Sequence, residues 1–482
     1  MPGFGVVSII VSALRVASAA ETPGDAAFIE VDPQRPTALR ERGTGRPFVA
    51  VGVNYFDHQT GWAPKLWKQF NAARVAEHLD LIRDQGFNTI RVFLTFESFH
   101  REPGRVNTEG LAKFRVLLDL CRQRGLRVIP SGPDHWEGTP AWRHGDAFAD
   151  EAILEADDAW WRAFAGLFKD DPTLLAYDLL NEPAVRWDSP PMRTKWNAWL
   201  ERTYGSAEKV AAAWGLPSGE LPALGSIEPP PPQPAPDGAR LYDYQRFREE
   251  LADEWTRRHV EAIRSADRRH LVTVGHIQWA VPIYLPGVQH YAGFDMKSNG
   301  RFVDFVTVHF YPLEPPTPAE GPAGLAVNAA YLEALLFLCS VGKPLMIGEF
   351  NWYGGGGLDV EGAWRLPERP VEHQVEWCRE LLAVSEGRVC GWLNWAFADT
   401  PTSRDITRWS GLWTEDLRLK PWGREFGAFA REVSRRPQES RPFPAYLSGF
   451  PFDRRAMLTS TQAAAEYRRQ LREARLAATR PG

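Results

Sequence analysis

Two glutamates in this chain each end a strand-like apolar run. Glu182 closes the segment Leu174–Pro183 (LLAYDLLNEP), and Glu349 closes Pro344–Phe350 (PLMIGEF). A short apolar run bounded by turn residues is typical of a buried parallel strand. In a barrel of such strands, catalytic groups lie at the C-terminal strand ends. Two carboxyl groups that face each other across one pocket are what hydrolysis of a glycosidic bond requires.

The residues around the two glutamates predict different protonation states. A proton donor at Glu182 must be protonated at working pH, and an apolar surround with a second carboxylate nearby raises its pKa. Asn181, directly before it, is expected to bond the sugar 2-hydroxyl. The alternative is an ordinary Asn-Glu-Pro turn that ends a strand. Glu349 must instead be ionised to attack an anomeric carbon, so it needs a cation or hydrogen-bond donors nearby.

Two other strand-like runs offer such groups. Arg91 lies in NTIRV, where a buried arginine is costly unless it is paired, and it is the candidate partner for Glu349. His309 and Tyr311 are two residues apart in VTVHFYP, so their side chains share a strand face. Tyr311 is expected to bond Glu349, and His309 to bond the substrate or Glu182. A single His or Tyr on a strand is more often a core residue, but the pair on one face favours a site.

Two further strand ends supply pocket-lining candidates. The third run ends in Asp-His-Trp, where His135 is expected to line the pocket for the sugar, and the eighth run contains Trp392 and Trp395. Trp395 is expected to form the pocket floor by stacking on a sugar ring. An odd spacing places the two tryptophans on opposite faces of a regular strand, so one of them is structural.

The elements that must position these residues follow a repeating order. Strand-like runs alternate with helix-period segments, which predicts βαβ units and a parallel sheet. Eight such units predict a (β/α)8 TIM barrel. The interval after the fourth run is much longer than the others, which predicts an insertion at about residues 184–240. The eight runs begin near Phe48, Phe87, Leu126, Leu174, Leu271, Phe305, Pro344 and Cys390.

The order of these motifs resembles glycoside hydrolase family 5, within the larger clan of retaining (β/α)8 glycosidases, over about residues 48–430. By this resemblance Glu182 is the acid/base and Glu349 the nucleophile, and the anomeric configuration is retained. The resemblance also implies a carbohydrate substrate and no cofactor or metal. The supporting site residues that it implies are Arg91, His135, Asn181, His309, Tyr311 and Trp395.

The insertion bears on which substrate enters. Its segment YGSAEKVAAAWG is similar to one in clan β-galactosidases that trim chain ends, which implies an exo-type pocket. The insertion is expected to overhang the pocket, with packing on the barrel flank as the alternative. Competing hypotheses are an endo-acting β-mannanase or β-glucanase, a carbohydrate-binding pseudoenzyme and, last, a metal-dependent hydrolase on the same barrel, for which no H-x-H-type ligand cluster is present.

Composition narrows the remaining classes of function and partner. The net charge of −5, from 56 basic and 61 acidic residues, favours no nucleic-acid partner. The 20 tryptophans suit both sugar stacking and core packing. The four cysteines are expected to be buried and unpaired. No apolar run reaches transmembrane length. Oligomeric state and the identity of the sugar stay open.

Both termini lie outside the predicted catalytic domain, residues 28–437. Residues 1–27 form a possible leader, because Val6–Leu14 has the length of a signal h-region and Ala17-Ser18-Ala19 fits a cleavage site. No basic residue precedes that run, so secretion or periplasmic export and a cytoplasmic location both stay open. Residues 438–482 are predicted to form a helical extension whose apolar stripe docks on the barrel.

Overall fold

The computed structural model of the protein describes most of the chain. The described residues are 26–61, 65–134, 138–217, 219–233, 238–283, 288–312, 321–361, 365–435, 439–449 and 452–479. Residues 1–25 of the candidate leader segment and His135 lie outside these ranges. Among the described residues, no helix is both long and apolar enough to cross a membrane.

Eight parallel strands close into a barrel. Almost every position in these strands is buried, as expected for strands that are covered on both faces. The predicted (β/α)8 barrel is confirmed, and each strand begins within about two residues of the expected position. The strands are β1 Ile29–Asp32, β2 Arg35–Glu41, β3 Pro47–Phe48, β4 Ala50–Asn54, β5 Thr89–Thr95, β6 Arg127–Asp134, β7 Ala176–Asn181, β8 Leu271–His276, β9 Val306–Phe310, β10 Leu345–Phe350, β11 Gly356–Leu358, β12 Leu366–Arg369 and β13 Gly391–Asn394. The order around the barrel is β10-β13-β4-β5-β6-β7-β8-β9.

Helices surround the barrel and present apolar faces to it. Side chains of Asn71, Asn107 and Asp150 accept hydrogen bonds from first-turn amides of the helices that directly follow them, which fixes where those helices begin. The helices are α1 Lys65–Lys68, α2 Ala72–Asp84, α3 Phe96–Phe99, α4 Thr108–Arg122, α5 Glu151–Phe168, α6 Pro190–Tyr204, α7 Ala207–Trp214, α8 Gly238–Ala266, α9 Met296–Asn299, α10 Gly321–Cys339, α11 Val371–Ser385, α12 Pro421–Val433, α13 Ala445–Gly449, α14 Arg454–Thr459 and α15 Thr461–Ala478.

A small antiparallel sheet, β1-β2-β3, closes one end of the barrel and was not predicted from the sequence. Its buried Ile29 and Leu39 pack in one cluster with Ala50, Leu271 and Phe305, which lie where barrel strands begin. The N-terminal end of the barrel is therefore covered. The C-terminal strand ends, where both glutamates lie, form the other face.

The insertion forms α6 and α7, which pack against the N-terminal half of the long helix α8. Trp196 stacks with Trp214 and Trp199, and the Trp214 Nε1 donates to Asp243 of α8 at 2.9 Å. Most of the insertion's aromatic surface is therefore used for packing against α8. Ser189, which caps α6, donates to Asp146 in the segment after β6 at 2.7 Å.

The C-terminal helices pack on the outside of the barrel. Leu471 and Ala464 of α15 are buried. Arg475 bridges from the same helix to Glu333 of α10 at 3.2 Å and to Glu380 of α11 at 2.8 Å. Arg475 thus links α15 to two of the barrel helices by ion pairs.

Candidate active site

The two glutamates occupy ends of strands that depart locally from regular pairing. The register between β7 and β8 shifts between Asp178 and Asn181, and the register between β9 and β10 shifts between Ile347 and Glu349. Such irregularities re-aim side chains and are common beside active sites. Glu182 also has a positive φ of 47°, a left-handed conformation that costs a non-glycine residue roughly 1–2 kcal/mol. The backbone therefore holds this side chain in an unusual direction.

Arg91 lies at the centre of the site and is fully buried. Its Nη1 donates to Glu349 Oε1 at 2.7 Å and to Asn54 at 2.9 Å. Its Nε donates to Asp178 at 2.9 Å. Its Nη2 donates to Asn181 at 2.8 Å, to Ser131 at 3.1 Å and lies 2.7 Å from Asp178. All three guanidinium nitrogens therefore donate to buried oxygen atoms, which is the pairing that a buried arginine requires.

The two carboxylates have different partners. The Tyr311 hydroxyl donates to Glu349 Oε2 at 2.6 Å, so both oxygens of Glu349 are held, one by Tyr311 and one by Arg91. Glu182 Oε1 lies 2.9 Å from Nδ1 of His309. One oxygen of each carboxylate and one nitrogen of His309 lie within 4.8 Å of one another. The two acids therefore share one small space, with His309 beside both.

Burial and charge set the proton affinities. Burial raises the pKa of Glu182 to about 7; Arg91 opposes this rise and Asp134 adds to it. Burial also raises the pKa of Glu349 above its ordinary value, while His309, Arg91 and the Tyr311 hydrogen bond act in the opposite direction. Burial lowers the pKa of His309 to about 4, so its ring is neutral near pH 7.

Trp395 forms an aromatic wall together with Phe56 and Phe93. Its ring centroid lies 5.9 Å from that of Phe56 and 5.6 Å from that of Phe93, and Tyr311 packs against the same cluster. Its Nε1 donates to Thr407 at 2.8 Å, which fixes the ring orientation. Trp392 lies on the other face of β13 and donates to Ser385 of α11. Trp392 is thus the structural member of the pair.

Two glycines make room for this network. A Cβ at Gly275 would lie 2.8 Å from Arg91 Nη2 and 3.2 Å from His309 Nε2. A Cβ at Gly348 would lie 2.4 Å from Thr307 and 3.1 Å from His309 Nε2. Only glycine fits where backbone approaches buried side chains this closely.

Comparison with known proteins identifies the family. The model of the Cellulase family (glycosyl hydrolase family 5) matches residues 43–400. The chain belongs to glycosyl hydrolase family 5. The predicted family resemblance is therefore confirmed, and the chain is placed among glycoside hydrolases.

Individual relatives of this family 5 chain share the fold over different lengths. The β-galactosidase Bga of Halorubrum lacusprofundi is 30% identical over 250 residues, which cover 46% of this chain and 34% of that protein. The structure of a β-galactosidase from Marinomonas ef1 has a TM-score of 0.61 at 19% identity. This match covers 80% of this chain and 59% of the Marinomonas chain. The structure of GH5_18 from Streptomyces cattleya, in complex with GlcNAc, has a TM-score of 0.58 at 19% identity. This match covers 89% of this chain and 92% of the Streptomyces chain. The chain thus spans about a third of the length of the Halorubrum β-galactosidase and half that of the β-galactosidase BgaH of Haloferax lucentense, to which it is 26% identical over 352 residues.

The structure brings together seven of the eight site residues that the sequence predicted for this family 5 chain. His135, the eighth, lies outside the described residues. The seven that meet at the C-terminal strand ends are Arg91, Asn181, Glu182, His309, Tyr311, Glu349 and Trp395.

Sequence reasoning missed Asn54, Ser131 and Asp178, the other buried partners of Arg91. A signal for Asp178 was present, because it is the one charged residue before Glu182 in LLAYDLLNEP and is spaced by an even number from it. Asn54 and Ser131 carry no such signal, since small polar residues at strand ends are common.

Two groups of described residues have the donor atoms for a metal ion. The first is Glu182, His309 and Glu349. In that group both oxygens of Glu349 already accept hydrogen bonds, one from Arg91 and one from Tyr311. These donors balance the carboxylate charge that a metal ion would otherwise balance. The second is Asp57, His58 and His78, which lie elsewhere on the barrel.

Proposed function

We propose that this protein is a retaining β-glycosidase that works by double displacement. The Glu349 carboxylate attacks the anomeric carbon while the bond from that carbon to the leaving oxygen breaks and Glu182 gives its proton to that oxygen. Glu182, now a carboxylate, then takes a proton from water. The water oxygen bonds to the anomeric carbon, and Glu349 leaves as a carboxylate. Two inversions retain the configuration.

The spacing of the two carboxylates is the observation that carries this proposal. Retaining glycosidases hold their carboxyl groups about 5–5.5 Å apart, whereas inverting enzymes leave about 6.5–9.5 Å for a water molecule. An oxygen of Glu182 lies within 4.8 Å of an oxygen of Glu349. That separation suits direct attack by one carboxylate on a sugar whose leaving group is protonated by the other.

The neighbours of each carboxylate support the assigned roles. Arg91 and Tyr311 donate to Glu349, and both donations favour its ionised form. Among the described residues, no Arg or Lys donates a hydrogen bond to the Glu182 carboxyl group, which instead lies beside His309. Its pKa of about 7 keeps a large fraction of Glu182 protonated at neutral pH. Asn181, held by Arg91 through its Oδ1, has its amide group left to donate to the sugar 2-hydroxyl. Trp395 supplies the stacking face.

We propose further that the enzyme acts on chain ends. Support comes from the β-galactosidase relatives and from the insertion of α6 and α7, which follows the end of β7 and Glu182 along the chain. The second candidate is an endo-acting β-mannanase or β-glucanase, which the description of the family as cellulases favours. Both candidates use the same two glutamates.

A panel of substrates tests both parts of this proposal. Aryl β-glycosides of glucose, mannose and galactose identify the sugar, and oligosaccharides with product analysis identify the mode. Release of monosaccharide from one end supports exo action, whereas mixed oligomers support the endo alternative. Formation of the α-anomer as first product from a β-glycoside would contradict retention.

A further inference from the structure

A second buried cluster lies in the loop after the first barrel strand. Asp57 and His58 follow β4, and His78 faces them from α2; all three are buried. One donor atom from each lies within 4.8 Å of the others. The double-displacement mechanism uses none of these residues.

The hydrogen bonds of His58 define which ring nitrogen is free. Its Nε2 lies 2.9 Å from the backbone carbonyl oxygen of Glu415. A carbonyl oxygen only accepts, so Nε2 carries the proton, and the neutral ring has its lone pair on Nδ1. That Nδ1 is buried and has no hydrogen-bond partner among the residues the structure describes.

His78 has the complementary arrangement. Its Nδ1 lies 3.1 Å from the Tyr55 hydroxyl, while its buried Nε2 has no hydrogen-bond partner in the described part of the chain. Burial lowers the pKa of His78 to about 4 and also lowers that of His58. Both rings are therefore neutral near pH 7, the form in which imidazole binds metals.

Asp57 has room for one more bond on each oxygen. Its Oδ2 accepts from Arg74 Nε at 2.5 Å, and its Oδ1 accepts from the Gln59 amide at 3.1 Å. An ionised carboxylate offers about four lone-pair sites in all. Arg74 is partly exposed, so its charge is screened by water.

We propose that Asp57, His58 and His78 bind one divalent transition-metal ion of the zinc class. Two imidazole nitrogens and one carboxylate oxygen form a donor set typical of such ions. Each ligand is held by an outer partner, namely the Glu415 carbonyl, the Tyr55 hydroxyl and Arg74, as is usual in metal sites. The ion would join the loop after β4 to α2 and so hold Phe56 against Trp395.

The competing explanation is a metal-free core in which His78 Nε2–H relaxes to donate to His58 Nδ1. Without either arrangement, each nitrogen would stay buried without a hydrogen-bond partner, which destabilises the folded state. The two explanations differ in one respect that can be measured, because only the proposed metal site would bind a metal ion tightly.

The test is zinc binding by the full-length, untagged protein after chelator treatment and dialysis. We expect one tightly bound Zn²⁺ per chain in the wild type, with a rise in Tm. His58→Gln and His78→Gln should each weaken binding at least tenfold, and Tyr55→Phe should weaken it about tenfold. The matched control, His144→Gln, removes an exposed histidine and should bind zinc as the wild type does.

Two further arms keep the result decisive. Glu349→Gln should keep its zinc, whereas loss of zinc there would assign the ion to the catalytic group and overturn the proposal. Co²⁺ added in place of zinc should give the absorption bands of a four- or five-coordinate site in the wild type. A wild-type protein that binds no stoichiometric Zn²⁺ overturns the proposal even if the histidine variants fail to fold.

Discussion

Glu182 and Glu349 are the same residue at equivalent strand ends, yet their surroundings differ. The Glu349 side chain is 4% exposed and is bonded by Arg91 and Tyr311, whereas the Glu182 side chain is 26% exposed and contacts a neutral His309. We propose that the strand end places each carboxyl group at the site, and that the neighbours of each group decide whether it gives a proton or attacks carbon. The predictions below test this division of roles.

The largest effect is expected from Glu349→Gln. An amide cannot form the glycosyl ester, so kcat should fall by about 10⁴-fold or more for every substrate, activated or not. Steady-state kinetics on aryl glycosides with good and poor leaving groups measure this. Near-native rates in the variant would show that Glu349 is not the nucleophile.

Glu182→Ala should instead separate substrates by leaving group. General acid catalysis contributes about 10²–10⁴-fold, and leaving groups that depart without a proton do not need it. The first step should therefore slow strongly for poor leaving groups and little for dinitrophenyl-type ones. Equal losses across the leaving-group series would contradict an acid role for Glu182.

Arg91→Met tests the network that holds Glu349. Removing one partner leaves Asp178 and Glu349 buried without their cation, which should lower the free energy of unfolding by about 3–5 kcal/mol. Chemical denaturation measures it, with Arg105→Met as the matched control in an exposed pair with Glu102. That control should change stability by less than about 1 kcal/mol.

The pH dependence gives a smaller effect with a defined sign. Burial raises the pKa of Glu182 to about 7, so the acid is protonated below that pH and loses its proton above it. The rate kcat/KM should therefore fall about tenfold per pH unit well above pH 7. Glu182→Ala with an activated substrate should lose this alkaline limb, and its persistence would assign the limb to another group.

The sequence predicted the barrel and most of the site because both depend on local patterns. Each strand is a short apolar run, and Arg91 and His309 stand out as polar residues inside such runs. The cover of β1, β2 and β3 was missed because its short strands lack a clear alternation. The cluster of Asp57, His58 and His78 was missed because tertiary packing, not spacing, brings α2 to the loop after β4.

The most direct test of the central claim is to trap the covalent intermediate. The sugar that reacts fastest as an aryl glycoside is supplied as its activated 2-deoxy-2-fluoro analogue, and the quenched protein is digested and analysed by mass spectrometry. We predict one glycosyl adduct, on the peptide that contains Glu349. An adduct on the Glu182 peptide, or no adduct together with an inverted product, would contradict the account.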